Sequence, residues 1–279
     1  MSGPKEIHRA IGPTPALPRP VAATEAPGMS APNIAWRGSP VQMSLTPNEE
    51  SPPISVDNAE RLREELRVIK RRLLGMQRIA GKPRGNIFMI ASALPGDGKS
   101  FIAWNLAKSL AADNDHEVIL IDGDFKKPHL THSFGLVGQP GFLEVMAGTL
   151  TLADAGHPIE DRFVFIPAGT DREKANERLA SKSTQALIDS YFAKPGRVVV
   201  FDSAPILRAS ESQVLANSVG RVVLVVRASR TPKRALEQAL HVIGGPDNCA
   251  LVLNDADVPP LSSYSAGSYG YGYGNWYGK

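Results

Sequence analysis

Five residues in this chain combine types and spacings that could do chemistry: Lys99, Ser100, Asp122, Asp124 and Asp202. The first two close the stretch Ser92-Ala93-Leu94-Pro95-Gly96-Asp97-Gly98-Lys99-Ser100, which has the form A-x-x-x-x-G-K-S, with Ala93 where the stricter phosphate-loop pattern has Gly. Gly96 and Gly98 can take backbone angles closed to other residues, so successive N–H groups can turn inward around an anion. In such a loop the Lys99 ammonium reaches the β- and γ-phosphates of a nucleotide and the Ser100 hydroxyl faces Mg²⁺. The expected nucleotide contacts are Pro95, Gly96, Asp97, Gly98, Lys99, Ser100 and Phe101. Asp122 and Asp124 end the apolar run Val118-Ile119-Leu120-Ile121, and Asp202 ends the run Val198-Val199-Val200-Phe201. Carboxylates so placed suit joint work on a metal-bound water or a substrate hydroxyl, with Asp202 orienting Mg²⁺ and Asp124 supporting the metal shell. A Gly-rich turn with a chance G-K-S, and ordinary strand-end caps, are the alternatives for each motif alone. The three in this order point to a nucleotide site.

Strands must deliver these groups. The run Ile87-Phe88-Met89-Ile90-Ala91 leads into the loop as a buried strand, and Ile102, Ala103, Leu106, Ala107 and Leu110 line one face of a helix leading out. Further strands are expected over 117–121, 163–166, 197–201, 221–226 and 250–253, with helices over 183–192, 211–218 and 233–243. This alternation predicts an α/β fold: a mostly parallel sheet with helices on both faces and ligands at the C-terminal ends of its strands.

Around that core, at residues 83–258, the composition changes. Residues 1–55 hold 11 of the 23 prolines without helical or strand periodicity, and are expected to form a disordered arm in which Trp36 and Met43 are either isolated apolar residues, the commoner case, or a short docking element. Residues 56–82 read as a basic helix, with an apolar seam of Leu62, Leu66, Ile69, Leu73 and Met76. Its other faces are crowded with basic residues, Arg67 and Lys70 among them; a solvated face on a helix packed against its own domain is one reading, and a subunit contact is the other. Residues 259–279 are rich in Gly and Ser and carry Tyr264, Tyr269, Tyr271, Tyr273 and Tyr277, leaving only Tyr191 elsewhere. The net charge of +3 gives no case for nucleic acid. One cysteine, Cys249, excludes an internal disulfide framework and fits a reducing compartment. No apolar run approaches the ~18 residues of a membrane span and no signal-peptide core is visible, so a cytoplasmic location is expected.

These features together resemble the bacterial tyrosine kinases that accompany exopolysaccharide export, most closely their exosortase-associated branch. The resemblance runs from about Asp57 to the C-terminus. It is carried by Ser92–Ser100 as Walker A, Asp122-Gly123-Asp124-Phe125-Lys126-Lys127-Pro128 as the family's Walker A′, and Asp202-Ser203-Ala204-Pro205 as Walker B. Pro167-Ala168-Gly169, Leu251-Val252-Leu253-Asn254 and the tyrosine tail also match. It implies a Par/Min-like P-loop fold, ATP and Mg²⁺ as cofactors, and autophosphorylation of the five tail tyrosines. Lys99, Asp122, Asp124 and Asp202 would act in transfer, and Asn254 would recognise adenine. It further implies ring-like self-association with Glu64, Arg67 and Lys70 at the subunit contact, a membrane-bound polysaccharide copolymerase that recruits the chain to the inner face of the plasma membrane, and an opposing tyrosine phosphatase. Three departures from the family's pattern stand out. Lys126 and Lys127 replace the usual arginines, Ala204 replaces a proline, and Lys70 replaces the last arginine of E-x-x-R-x-x-R. The rival readings are a Par/Min-type ATPase, whose signature lysine position is here Leu94, and a nucleotide-binding adaptor without kinase activity.

Overall fold

The computed structural model describes residues 34–43, 56–80, 84–113, 115–246 and 249–256. The tail tyrosines and most of the proline-rich arm lie outside the described residues.

The apolar runs form the strands β1 (Ile87–Ser92), β2 (Glu117–Gly123), β4 (Phe163–Ile166), β5 (Arg197–Ser203), β6 (Arg221–Arg227) and β7 (Cys249–Asn254), joined by a short β3 (His157–Glu160). They make one sheet in the order β3-β4-β2-β5-β1-β6-β7. Every neighbouring pair is parallel except β3 with β4. Period-two alternation divides the core between the two faces. Ile87, Met89, Ile119, Ile121, Val199 and Phe201 join one apolar cluster, while Phe88, Ile90, Val118, Leu120, Val198 and Val200 join the other. The first face is covered by α4 (Phe142–Ala147), α5 (Leu152–Ala155), α6 (Ala175–Ala180), α7 (Lys182–Leu187), a π-helical turn (Ile188–Phe192), α8 (Ser210–Ala216) and α9 (Lys233–Val242). The second is covered by α1 (Val56–Ala80), α2 (Lys99–Ala111) and α3 (His129–Ser133). Both central strands β1 and β5 are buried along their whole length, as a parallel sheet covered on both sides requires.

The register does the positioning. Asp122 of β2 pairs with Asp202 of β5, and Ile90 of β1 lies on the other side of Asp202. Two carboxylates from separate sequence motifs thus stand side by side at the C-terminal edge of the sheet, where β1 runs out into the loop before α2. Gly123 follows, and a Cβ there would come 2.8 Å from the Asp202 carbonyl oxygen, so the small residue permits this approach.

Two expectations about the N-terminal part change. Residues 34–43, within the stretch expected to be a disordered arm, lie along the sheet edge beside β3. Gly38 and Val41 donate backbone hydrogen bonds to the Gly156 and Pro158 carbonyls at 3.1 and 3.0 Å. Ile34 is buried, and the Trp36 ring packs on Gly156 while its indole N–H donates to Glu117 Oε1 at 3.0 Å. Glu117 in turn pairs with the fully buried Arg197 guanidinium. Trp36 is therefore an anchor rather than an isolated apolar residue. Along α1, Leu66 and Leu73 are buried as the seam predicts, but Met76 is 37% exposed. Lys70 departs from the exposed face proposed for it. It follows Leu66 by four residues and precedes Leu73 by three, which puts it on the buried stripe. Its ammonium donates to Asp113 Oδ1 at 2.7 Å and to the Ser109 carbonyl at 2.9 Å, tying α1 to the end of α2. Glu64 and Arg67 remain exposed and pair with each other.

Candidate nucleotide-binding and phosphoryl-transfer site

The loop between β1 and α2 adopts the conformation that its glycines permit. Gly96 and Gly98 have φ of 85° and 94°, in the left-handed region that other residues rarely enter. Gly98 caps α2, whose first turn carries no acidic side chain, so its free N–H groups and dipole face the loop. Pro95 and Gly96 form the exposed crest; Phe101, on the first turn of α2, is 40% exposed. Asp97 is 4% exposed and pins the loop from within. Its carboxylate accepts from Leu94 N–H at 3.2 Å and from the Thr231 hydroxyl at 2.8 Å, and its carbonyl accepts from Asn254 Nδ2 at 2.9 Å. Arg227 adds a bond from Nη1 to the Gly96 carbonyl at 3.2 Å. The ends of β6 and β7 therefore brace the loop. Asn254, expected at the adenine, directs its amide nitrogen to that loop, and a Cβ on Gly98 would meet it at 2.2 Å.

Lys99 is only 8% exposed. Its ammonium lies 3.3 Å from Asp124 Oδ2 and 3.3 Å from Ser100 Oγ, so lysine, serine and second Walker A′ aspartate meet. Asp124 also accepts from Lys127 N–H at 3.0 Å, which makes it a turn residue as well as a partner of Lys99. Asp122 has no exposed surface. Its Oδ2 accepts from both the Thr131 N–H and the Thr131 hydroxyl at 2.8 Å, and its Oδ1 accepts from Asp124 N–H at 3.2 Å. Of the substituted lysines, Lys126 pairs with Glu211 at 3.1 Å and keeps its side chain at the surface. Sequence reasoning did not single out Thr131, Thr231 or Arg227. A threonine or arginine in a connecting loop carries no motif, and only its partners reveal its place.

Asp202 is the residue whose environment calls for a further group. It is fully buried, and neither carboxylate oxygen has a hydrogen-bond partner among the described residues. Burial raises its pKa above the ordinary carboxylate range, opposed chiefly by the Lys99 charge. Burial and the neighbouring Asp202 charge raise that of Asp122 likewise. A buried carboxylate without a donor is costly unless a cation or proton meets it. Hard oxygen donors from Ser100 and Asp202, with Asp124 alongside, fit a small divalent cation such as Mg²⁺.

A stability prediction follows with a definite sign. Carboxyls with raised pKa bind protons in the folded state that the unfolded chain has already released. They therefore destabilise the nucleotide-free protein as pH rises from near 4 to neutrality. Asp202→Asn is expected to be more stable than wild type in EDTA at pH 8, by about 2 kcal/mol, with the gap closing toward pH 4. Urea denaturation at both pH values checks this. A variant no more stable at pH 8 would mean that the buried carboxylate is not under the strain assigned to it.

No protein-family model matches the chain. It is 33% identical over 218 residues to the succinoglycan biosynthesis transport protein ExoP of Rhizobium meliloti, covering 72% of this chain and 26% of that protein. It is 29% identical over 209 residues to the tyrosine-protein kinase ptk of Acinetobacter johnsonii, covering 73% of this chain and 28% of that protein. The chain thus spans about a quarter of the length of these curated relatives. Among solved structures, the VpsO kinase domain superposes with a TM-score of 0.60 at 27% identity, covering 73% of this chain and 100% of that one. The kinase domain of Escherichia coli tyrosine kinase ETK shares the fold, with a TM-score of 0.62 at 23% identity, covering 88% of this chain and 100% of that one. Among the described residues no helix is long and apolar enough to cross a membrane. Sequence relatives and structural neighbours agree, and the P-loop domain of this chain is similar to those of the bacterial tyrosine-protein kinases.

Proposed function

We propose that the chain is an ATP-dependent protein-tyrosine autokinase whose acceptors are Tyr264, Tyr269, Tyr271, Tyr273 and Tyr277. The observation that carries this reading is the unpartnered, buried Asp202 carboxylate, set beside Asp122 by strand register and facing Lys99 and Ser100. Phosphoryl transfer asks mainly for positioning and charge stabilisation, and this constellation offers both. The loop N–H groups of residues 96–100 and the N-terminus of α2 hold the phosphates, and Lys99 draws charge from the transferring group. Mg²⁺, held by Ser100 and Asp202 with Asp124 in support, would neutralise charge on the β- and γ-phosphates. A free tyrosine has a pKa near ~10 and needs a nearby carboxylate to lose its proton at neutral pH. Asp122 supplies it. The tyrosine O–H bond breaks toward Asp122 as its oxygen bonds the γ-phosphorus, and the bond from that phosphorus to the β,γ-bridging oxygen breaks, releasing ADP. Asn254, at the rim of the loop, is assigned to adenine.

Several finer assignments belong to the same proposal. The tail of one subunit would serve the site of a neighbour in a ring-like oligomer, with the exposed Glu64–Arg67 pair at the contact; Lys70 holds α1 to its own domain instead. The name of one relative, the succinoglycan biosynthesis transport protein ExoP, connects that protein with biosynthesis and transport of a polysaccharide, which supports regulation of exopolysaccharide polymerisation or export through a membrane-bound copolymerase that recruits this chain to the cytoplasmic face. A tyrosine phosphatase would reset it. Membership of the exosortase-associated branch rests on the motifs quoted above. The Par/Min-type ATPase is the second reading, since the sheet is shared; Leu94 at its signature lysine position and the tyrosine tail weigh against it. Phosphotyrosine blotting of the chain expressed alone, with and without phosphatase treatment, tests the proposal. The expected result is a phosphatase-sensitive signal, and its absence in Mg-ATP would favour the ATPase or adaptor.

A further inference from the structure

Thr131 lies in the first turn of α3, 3% exposed, and belongs to none of the motifs. It makes two bonds to one oxygen of Asp122: its N–H and its hydroxyl both donate to Oδ2 at 2.8 Å. The direction of the hydroxyl proton is fixed from outside. Ala168 N–H donates to Thr131 Oγ1 at 3.0 Å, and because a backbone N–H can only donate, the hydroxyl must spend its own proton on Asp122. Ala168 is itself held. The Leu143 and Phe142 N–H groups donate to the Ala168 and Pro167 carbonyls at 3.0 and 2.9 Å, anchoring the loop after β4 to the start of α4. A chain of bonds thus runs from α4 through Ala168 and Thr131 to Asp122. It ties together segments that follow β2 and β4.

The consequence concerns which oxygen can react. Oδ2 has both lone-pair directions filled by Thr131, whereas Oδ1 accepts only the longer Asp124 N–H bond at 3.2 Å. We infer that Thr131 is a positioning residue for phosphoryl transfer: it locks the Asp122 carboxylate so that Oδ1, and not Oδ2, receives the proton of the acceptor tyrosine. This deepens the kinase reading and rests on it. Without the hydroxyl the carboxylate keeps one bond to Oδ2 and is free to turn about its terminal torsion, so transfer slows while the phosphate cradle, built from β1 and α2, is untouched.

Thr131→Val removes the hydroxyl at nearly constant volume, and Thr131→Ser restores it. In steady-state assays of tail phosphorylation with Mg-ATP, Thr131→Val is expected to lower kcat about ten- to a hundredfold, with KM for ATP within about twofold of wild type. Thr131→Ser is expected to return most of the loss, a rescue that a purely space-filling role would not give. Should the Val variant fail to fold, judged by circular dichroism, Thr131→Ala is assayed in its place against the same Ser control. A folded Val or Ala variant with wild-type kcat overturns the inference, as does a Ser variant as slow as Val. A wild-type chain that forms no phosphotyrosine defeats the kinase reading instead, and this role with it.

Discussion

Exchange of Lys99 for Met is expected to lower phosphotyrosine formation by about a thousandfold or more, a loss of the size seen when a charged group that stabilises the transferring phosphoryl is removed. Lys99 supplies the positive charge seen among Asp122, Asp124 and Asp202: its ammonium is 3.3 Å from Asp124, and its field is the leading influence that opposes the burial of Asp202. At 8% exposure it is part of a buried charge cluster, so the substitution also leaves carboxylates without their counter-charge. Lys99→Met should therefore lose stability as well as activity. Asp122→Asn separates the two, because Asp122 is held by Thr131 and Asp124 rather than by Lys99. That variant should retain nucleotide binding, measured with a fluorescent ATP analogue, and still lose transfer. Full autokinase activity in either purified variant would remove these residues from the site.

The second large effect concerns the tail. Replacing Tyr264, Tyr269, Tyr271, Tyr273 and Tyr277 with Phe keeps the aromatic rings and removes the acceptor hydroxyls. The variant is expected to show no phosphotyrosine, to hydrolyse ATP slowly and to stay associated in Mg-ATP. Each phosphate adds about −1.5 to −2 charges at pH 7, so several on one tail would drive neighbouring subunits apart in the wild type. Light scattering with and without Mg-ATP reads that difference. The one other tyrosine, Tyr191, is 42% exposed on the π-helical turn before β5. Its carbonyl accepts from Arg197 at the start of β5, while Asp202 is five residues along the same strand, about 17 Å away. Tyr191 therefore lies toward the far end of the sheet from its own site. Phosphotyrosine that persists in the five-fold variant would have to be on Tyr191, donated by another molecule, and would end the assignment of the tail.

The strands that carry Asp122 and Asp202 were legible because parallel strands buried on both faces read as uninterrupted apolar runs. The glycines at 96 and 98 were legible because a left-handed backbone leaves few other choices. β3 was not: His157-Pro158-Ile159-Glu160 is short, contains a proline and is half-exposed at an edge, which leaves no pattern to read. The strap at residues 34–43 escaped for a related reason, since its hold comes from one indole, three backbone bonds and a glycine opposite, none of which is periodic. Lys70 misled because a charged residue counts as polar on a helical wheel. Its position between Leu66 and Leu73 decides that its stem is buried and its ammonium finds Asp113. Asp124 is a turn residue, the alternative weighed for it, and also a partner of Lys99, which no motif announced. Thr131 could be found only through its partners.

Intact-mass measurement of the purified, phosphatase-treated chain, before and after incubation with Mg-ATP, addresses the central claim most directly. Successive increments of ~80 Da are expected, up to five per chain, absent in Lys99→Met and lost when the chain is truncated after Ala256. A wild-type mass that does not change while ATP is hydrolysed, or increments that survive the truncation, would contradict that claim.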